Sequence, residues 1–505
     1  MKQNGIVSSA LILTGASLIT RLLGFFYRIY MSQTIGAEGM GLYQLILPLY
    51  MLAWTITASG FTTTVSRLAA QENAKGRVGN TRRLLKISVV ICGCLGLALG
   101  LALFLFARPV ALYLFRDTRA LPALKILGLA FPWMAMGSCI RGYFHGMRFP
   151  RVPAISQILE QAVRLVTVGI YVVFFRPHTL EQACVMAVAG IITGEVVSFG
   201  YVLFAYFRCR REFSGSPPSF SRRVSTGLVL SMALPLTANR VTGSVLSTAE
   251  NILIPRRLAL FDSTSGQALA TYGRLTGMAM PLIQLPSALL LSISISLVPA
   301  LSEAMAIHDQ RRVDATIQKA LFLTSMIAMG GLAVFLALPE AICRTVYHQP
   351  DLASIVRKLS LVCPFLYMQI TLSGILNGLG QHTFLLKNSI LSSFINIGFI
   401  YFFMPVFGVD AFLAGWLCSL VVTGGLSLHK LASETRLAPD WKAWLLRPLF
   451  CAGLSAVAGR VIFDQTDGGW LGLIVSIAFL ACTYVVTLAL CGCIDPRQAA
   501  AFRKK

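Results

Sequence analysis

Residues 10–31 read ALILTGASLITRLLGFFYRIYM. Apart from Arg21 and Arg28 the stretch is uncharged, and its length is that of one α-helical crossing of a hydrocarbon core, about 20 residues. With two arginines inside it and no small-residue cleavage site before a soluble domain, it reads as a retained helix and not as a signal peptide. Similar stretches recur as far as the region of Cys493, separated by short polar breaks. We place about 14 spans, at 10–31, 42–65, 84–107, 124–145, 154–175, 184–207, 226–254, 275–299, 319–339, 358–379, 384–404, 409–429, 443–463 and 470–493.

The composition of the whole chain agrees. Of 505 residues 56% are hydrophobic and only 12% charged, and the mean hydropathy is +0.72, so there is too little polar surface for a water-soluble globule. The expected fold is an all-α integral membrane protein with about 14 transmembrane helices. The formal charge of +23 would suit nucleic acid, but Lys and Arg are not gathered into a basic stripe or domain, and no nucleic-acid partner is expected. They sit mostly at span ends. With the N-terminus in the cytoplasm, cytoplasmic segments hold roughly 27 of them against roughly 12 outside, the direction of the positive-inside rule. An even span count then places both termini in the cytoplasm. The twelve cysteines are scattered through the spans as small apolar packing residues, without the spacing of a zinc or disulfide framework.

The longest polar breaks are Arg67 to Lys86, Arg208 to Arg223 and Ser302 to Lys319. The middle one, with a Ser216-Pro217-Pro218 turn, leaves six spans before it. Transporters are often built from repeated halves around a common site, and a faint repeat crosses this break. Arg21-Leu22-Leu23-Gly24 corresponds to Arg240-Val241-Thr242-Gly243, and the pair Pro48 and Val65 to Pro281 and Val298. We therefore expect two six-helix lobes around a central cavity, at 1–210 and 224–432, joined by a linker at 211–223. Two added helices and a cytoplasmic tail follow at 433–505. Pro48, Pro132, Pro235, Pro281, Pro286 and Pro364 lie where bends in a rocking bundle would be useful, although proline is common in membrane helices generally.

Charged side chains at membrane depth are costly, so those that persist usually face a watery cavity or one another. They are Arg21 and Arg28 in span 1, Glu160 and Arg164 in span 5, Glu195 in span 6, and Arg240 and Glu250 in span 7, with Arg67 at the inner end of span 2. Arg21 and Arg28 are seven residues apart, close to two turns, and share a helix face. Guanidinium groups on one face favour an anion and bind phosphate bidentately. We take Arg21, Arg28, Arg67 and Arg240 as candidate substrate-binding residues; the alternative for each is snorkelling to a headgroup. Glu160 and Arg164 are four apart, the spacing of a helical ion pair, either a static bridge or one that opens as the lobes move. Glu250 is a candidate for a protonated or cation-coordinating carboxylate, or a partner of Arg256 or Arg257. Glu160, Arg164 and Glu250 form the gating and ion-coupling set. There is no Gly-rich phosphate loop, metal-spaced His/Cys cluster or nucleophile elbow, so neither catalysis nor a metal or other cofactor is expected. His145, in Gly142-Tyr143-Phe144-His145-Gly146, reads as structural.

The segments Arg141-Gly142-Tyr143-Phe144-His145-Gly146-Met147, Pro153-Ala154-Ile155-Ser156-Gln157 and Glu160-Gln161-Ala162-Val163-Arg164 resemble the stage V sporulation protein B-like family of polysaccharide biosynthesis membrane proteins. Gly39-Met40-Gly41-Leu42-Tyr43-Gln44, Leu253-Ile254-Pro255-Arg256-Arg257-Leu258 and Ser296-Leu297-Val298-Pro299-Ala300-Leu301 extend the resemblance through nearly the whole chain. It implies membership of the multidrug/oligosaccharidyl-lipid/polysaccharide (MOP) exporter superfamily, with alternating access between membrane faces. It also implies a relation to lipid II flippases, which use cavity arginines on a diphosphate. Arg21 and Gly24 match the Ser/Thr-Arg-x-x-Gly-Phe opening of those flippases; the spacing then departs by one residue before Arg28.

The expected function is an alternating-access flippase that moves an undecaprenyl-pyrophosphate-linked oligosaccharide from the inner to the outer leaflet. Its partners would be that lipid-linked glycan diphosphate, membrane lipids and a coupling ion, proton or sodium. A multidrug or organic-cation extruder of the same fold and a non-transporting scaffold for cell-wall or spore-cortex assembly are the alternatives.

Overall fold

The structure is a computed structural model that describes residues 6–175, 177–212, 219–262, 264–307, 309–435, 442–466 and 469–492. The Ser216-Pro217-Pro218 turn of the linker, Cys493, the extreme N-terminus and the C-terminal tail lie outside the described residues. Among the described residues the ordered elements are all helical. They are α1 Ile6–Trp54, α2 Gly60–Ala74, α3 Val78–Pro109, α4 Leu121–Leu127, α5 Ala130–Gly146, α6 Arg151–Phe175, α7 Leu180–Glu212, α8 Arg222–Leu258 and α9 Ser265–Tyr272. There follow α10 Met280–Gln284, α11 Ser287–Ala306, α12 Gln310–Ala337, α13 Pro339–Ile342, α14 Leu352–Ser360, α15 Cys363–Gly378, α16 His382–Phe402, α17 Met404–Phe407, α18 Val409–Glu434, α19 Arg447–Asp464 and α20 Gly469–Leu490.

A straight helix of the 49 residues of α1 would be about 74 Å long, more than twice a hydrocarbon core. It is interrupted at Gly36 (φ 69°, ψ −174°), a left-handed conformation that suits glycine and few other residues. The first two expected spans are thus one continuous element turned on a single residue, where the sequence suggests a polar break over 32–41. Among the described residues nine helices are long and apolar enough to cross a membrane, or up to eleven if each of two bent pairs is one crossing. The first of the nine, Ile12–Ala74, contains both of the first two expected spans, while α8, which carries Arg240 and Glu250, is not among them. The expected number of spans exceeds what length and composition identify among the described residues.

Large apolar side chains stand on the outward faces. On α3, Leu97, Leu101 and Leu105 are 64%, 58% and 65% exposed and lie four residues apart on one stripe. The chain is therefore a multi-pass membrane protein whose apolar exterior is solvated by lipid.

The chain divides into two compact units, Met1–Gly273 and Arg274–Lys505. The core of the first gathers Phe61, Val65 and Leu68 of α2, Leu84 and Leu85 of α3, Tyr143 and Phe144 of α5 and Val202 of α7, with Val229 and Ala233 of α8. α8, the helix that opens the expected second lobe, packs here against α2: a Cβ added at Gly60 would lie 2.6 Å from Ala233 O, so only a glycine admits this crossing. The core of the second unit is built from Leu297 and Leu301 of α11, Val313, Ile317 and Leu321 of α12, Leu372 and Ile375 of α15, Leu431 of α18, and Trp444.

Each unit contains the same irregular sequence of elements. In the first, a π-helical turn at Val110–Phe115 ends on Arg116 in the left-handed region, and α4 and α5 follow, bent by 45°. In the second, a π-helical turn at Cys343–Tyr347 ends on left-handed His348, and α14 and α15 follow, bent by 52°. One interval separates Arg116 from His348, Pro132 from Pro364, and Gly146 from Gly378.

Candidate functional site

The polar centre of the first unit is built on α1, α5, α6 and α7. Small residues set it up. A Cβ at Gly142 would lie 2.5 Å from Thr62 O, and one at Gly194 2.9 Å from Glu160 O, so α5 meets α2, and α7 meets α6, nearly backbone to backbone. These close approaches carry Arg141, Glu160, Arg164 and Glu195 into the interior, where each must find a partner.

They find one another. Arg164 Nη2 lies 3.0 Å from Glu160 Oε1, and Arg141 Nη1 lies 4.0 Å from Glu160 Oε2, all three side chains being 12–14% exposed. Arg141 also donates to Ser198 Oγ of α7 at 3.1 Å and to Ser138 Oγ, one turn back on α5, at 2.9 Å. Ser138 Oγ in turn accepts from Trp54 Nε1 at 3.3 Å. Glu195 is only 2% exposed; its Oε1 accepts from the Tyr50 hydroxyl, and its Oε2 has no hydrogen-bond partner. Two guanidinium groups and two carboxyl groups are gathered here, and Glu160 takes part in both ion pairs. The cluster borders a cavity of about 400 Å³ whose walls include Tyr50, Trp54, Arg141, Glu160, Gln161 and Glu195.

The predicted residues fall into two groups. Glu160 and Arg164 form the expected pair at the cavity. Arg21 is exposed and Arg28 half-buried on α1, and neither has an ion-pair partner among the described residues. The neighbouring face of α1 meets the cavity: Thr20 lines it, and a Cβ at Gly24 would lie 3.9 Å from Gln161 Oε1. Arg67 is exposed midway along α2. Arg240 donates to Ser59 O at 2.6 Å and to Thr63 Oγ1 at 3.1 Å, uncharged oxygens on and beside the π-helical turn Thr55–Ser59. Glu250 is half-buried on α8 beside Asn251, whose Oδ1 accepts from the Tyr272 hydroxyl at 3.3 Å. Arg256, one of its two expected partners, donates to Tyr113 O at 3.1 Å. His145, one turn beyond Arg141, lines the cavity.

Arg141, Glu195, Tyr50 and Trp54 carry more of the site than their places in the sequence indicate. Charge balance was the available signal: once Glu160 takes Arg164, Glu195 is left needing a cation or donor from a neighbouring span, and Arg141 is the unassigned guanidinium.

The class of protein follows from these features together with the fold. The structure of the lipid II flippase MurJ in an inward closed conformation superposes with a TM-score of 0.72 at 13% identity, covering 95% of this chain and 98% of that one. An inward-facing multidrug resistance MATE family transporter of the MOP superfamily gives 0.62 at 16% identity, covering 84% and 98%. The fold of this chain is similar to the folds of these two proteins. The chain belongs to the polysaccharide biosynthesis protein family, which it matches over residues 6–305. It is 31% identical to stage V sporulation protein B of Bacillus subtilis (strain 168) over 407 residues, 79% of this chain and 78% of that one.

Proposed function

We propose that this protein is an alternating-access flippase that moves an undecaprenyl-pyrophosphate-linked oligosaccharide, lipid II or a related polysaccharide precursor, from the inner to the outer leaflet. The observation that carries the proposal is the division of the arginines. Arg141 and Arg164 share the carboxylate of Glu160, whereas among the described residues Arg21, Arg28 and Arg67 have no acidic partner and Arg240 meets only uncharged oxygens. Four guanidinium groups without carboxylates are suited to replace the water that a diphosphate loses on leaving bulk solvent. The relatives agree with this chemistry, since one of the superposed folds is a lipid II flippase.

In this reading the polyprenyl tail stays in lipid, and the topological halves 1–210 and 224–432 exchange access across the linker 211–223. Both termini are cytoplasmic. The protein performs transport and no catalysis. Glu160, Arg164 and Glu250 are the groups that couple the cycle to a proton or sodium ion. An organic-cation extruder, the alternative drawn from the multidrug fold, needs unneutralised carboxylates in its cavity; Glu160 is held by guanidinium groups, which leaves Glu195, bonded to the Tyr50 hydroxyl, as the carboxyl group that reading would use.

The test is translocation of a polyprenyl-diphosphate sugar in proteoliposomes, comparing the native protein with Arg21→Ala and Arg240→Ala. Each variant is expected to lower the rate at least roughly ten-fold, equivalent to about 1.4 kcal/mol of lost stabilisation. Rates unchanged in both variants, or no translocation by the native protein, would remove the arginine mechanism and leave the extruder and scaffold readings.

A further inference from the structure

In the first unit α3 and α8 start together and finish together. Asn80 Oδ1, near the start of α3, accepts from Ser219 N, just before α8, at 2.9 Å; at the far end Arg256 Nη2 donates to Tyr113 O at 3.1 Å. With both termini in the cytoplasm the far end is extracytoplasmic, the side on which Lys and Arg are disfavoured. Three arginines nevertheless gather there: Arg116, exposed at the left-handed end of the π-helical turn, and Arg256 and Arg257 in the last turn of α8. Partial burial, and then the charges of Arg116 and Arg257, hold Arg256 below the ordinary guanidinium value, as expected where like charges are kept together.

Cations in the last turn of a helix are usually accounted for by the carbonyls of that helix. Arg256 instead reaches a carbonyl of another element with a single donor, which leaves the rest of its guanidinium fork for a ligand. Among the described residues neither Arg116 nor Arg256 has an acidic partner. Asp117, next to Arg116, is held by Arg119 at 2.7 Å, and Arg119 also takes Glu38 at 2.7 Å. Asp262, which follows α8, has its Oδ2 buried and without a hydrogen bond. The cations are flanked by apolar side chains turned outward: Tyr113, Leu260 and Phe261 are 77%, 64% and 50% exposed. A soluble anion would be served by the cations alone. Arginines beside exposed aromatic and aliphatic side chains suit a ligand with an anionic head and a hydrocarbon tail, at the depth where headgroups meet acyl chains.

We infer that Arg116 and Arg256 hold the phosphate of a resident anionic phospholipid, whose acyl chains pack on Tyr113, Leu260 and Phe261. Arg257 adds positive potential beside them. The site lies on the lipid-facing rim, and it stands whether or not the protein is a flippase.

The test is binding of phosphatidylglycerol and of phosphatidylcholine with the same acyl chains to delipidated full-length protein in detergent, read by native mass spectrometry. Arg116→Gln with Arg256→Gln is compared with Arg222→Gln with Arg223→Gln, which removes the same charge at the opposite end of α8. The native protein is expected to prefer phosphatidylglycerol at least roughly ten-fold; the first pair should abolish that preference and the second keep it. No preference in the native protein, or equal losses in the two pairs, would overturn the site. Arg116→Gln alone changes an exposed side chain and serves where the first pair lowers the melting temperature; it should weaken phosphatidylglycerol binding roughly five-fold, and unchanged binding would overturn the site. Glycerol phosphate is added as a competitor. Displacement of the lipid only at a large excess supports a phospholipid site, whereas displacement at equal concentration would replace it by a site for soluble phosphate.

Discussion

The two units present the same irregular scaffold with opposite chemistry. The interval that takes Pro132 to Pro364 and Gly146 to Gly378 also takes Arg141 to Ser373, Glu160 to Ser392, Arg164 to Asn396 and Glu195 to Ser427. Every member of the charged network in the first unit thus has an uncharged counterpart in the second. There the polar contacts are between amides and hydroxyls: Asn388 Nδ2 donates to Ser427 Oγ at 3.0 Å and to Thr423 O at 3.0 Å, and Ser392 and Ser419 share a bond of 2.7 Å. The pairing of α16 with α18, the counterpart of that of α6 with α7, therefore forms without ions. The difference teaches that the charges of the first unit are not needed to build this scaffold; they persist against a desolvation cost that the second unit avoids.

The comparison can be broken most sharply by removing one charge. Arg164→Ala leaves Glu160 with only the more distant Arg141, and the expected loss in thermal or denaturant stability is about 3–5 kcal/mol. Replacing all four residues by their counterparts, Arg141→Ser, Glu160→Ser, Arg164→Asn and Glu195→Ser, is expected to destabilise less than the single change, because no buried charge is left uncompensated, while transport is lost. A quadruple variant less stable than Arg164→Ala would show that the network is a structural requirement after all.

The close approach of α6 and α7 offers a second test. Gly194→Val places methyl groups against Glu160 O and is expected to cost roughly 1–3 kcal/mol by overpacking, read as a lower melting temperature. A neutral result would mean that α6 and α7 can separate without disturbing the ion pairs. The smallest effects belong to single hydroxyls. Tyr50→Phe removes the donor to Glu195 and is expected to cost about 1–3 kcal/mol because a buried carboxylate oxygen is left unmet. Ser392→Ala in the second unit is expected to cost about 1 kcal/mol by the same assay, since its partner is neutral. Equal effects for the two would erase the contrast between the units.

What could be read from the chain depended on how local the cause was. Membrane residence follows from hydropathy over about 20 residues, a property of each segment alone. The Glu160–Arg164 pair follows from a four-residue spacing on one helix. The bends at Pro132 and Pro364 were marked by the prolines themselves, and both lie in the bent helix pairs. Gly36 was not singled out, because a glycine in an apolar stretch carries no sign of whether it will turn the chain.

By itself the sequence determined that this is a multi-pass helical membrane protein with a small set of charges at membrane depth, and that two of those charges pair along α6. Only the tertiary structure decided which of the others meet: Arg141 with Glu160 and Ser198, Glu195 with Tyr50, and Arg240 with the backbone of the π-helical turn at 55–59. The physical reason is that each of these contacts joins different helices. It depends on which helices are neighbours and how each is rotated about its axis, and both are set by glycine-mediated packing over the whole unit, which no single stretch of sequence contains.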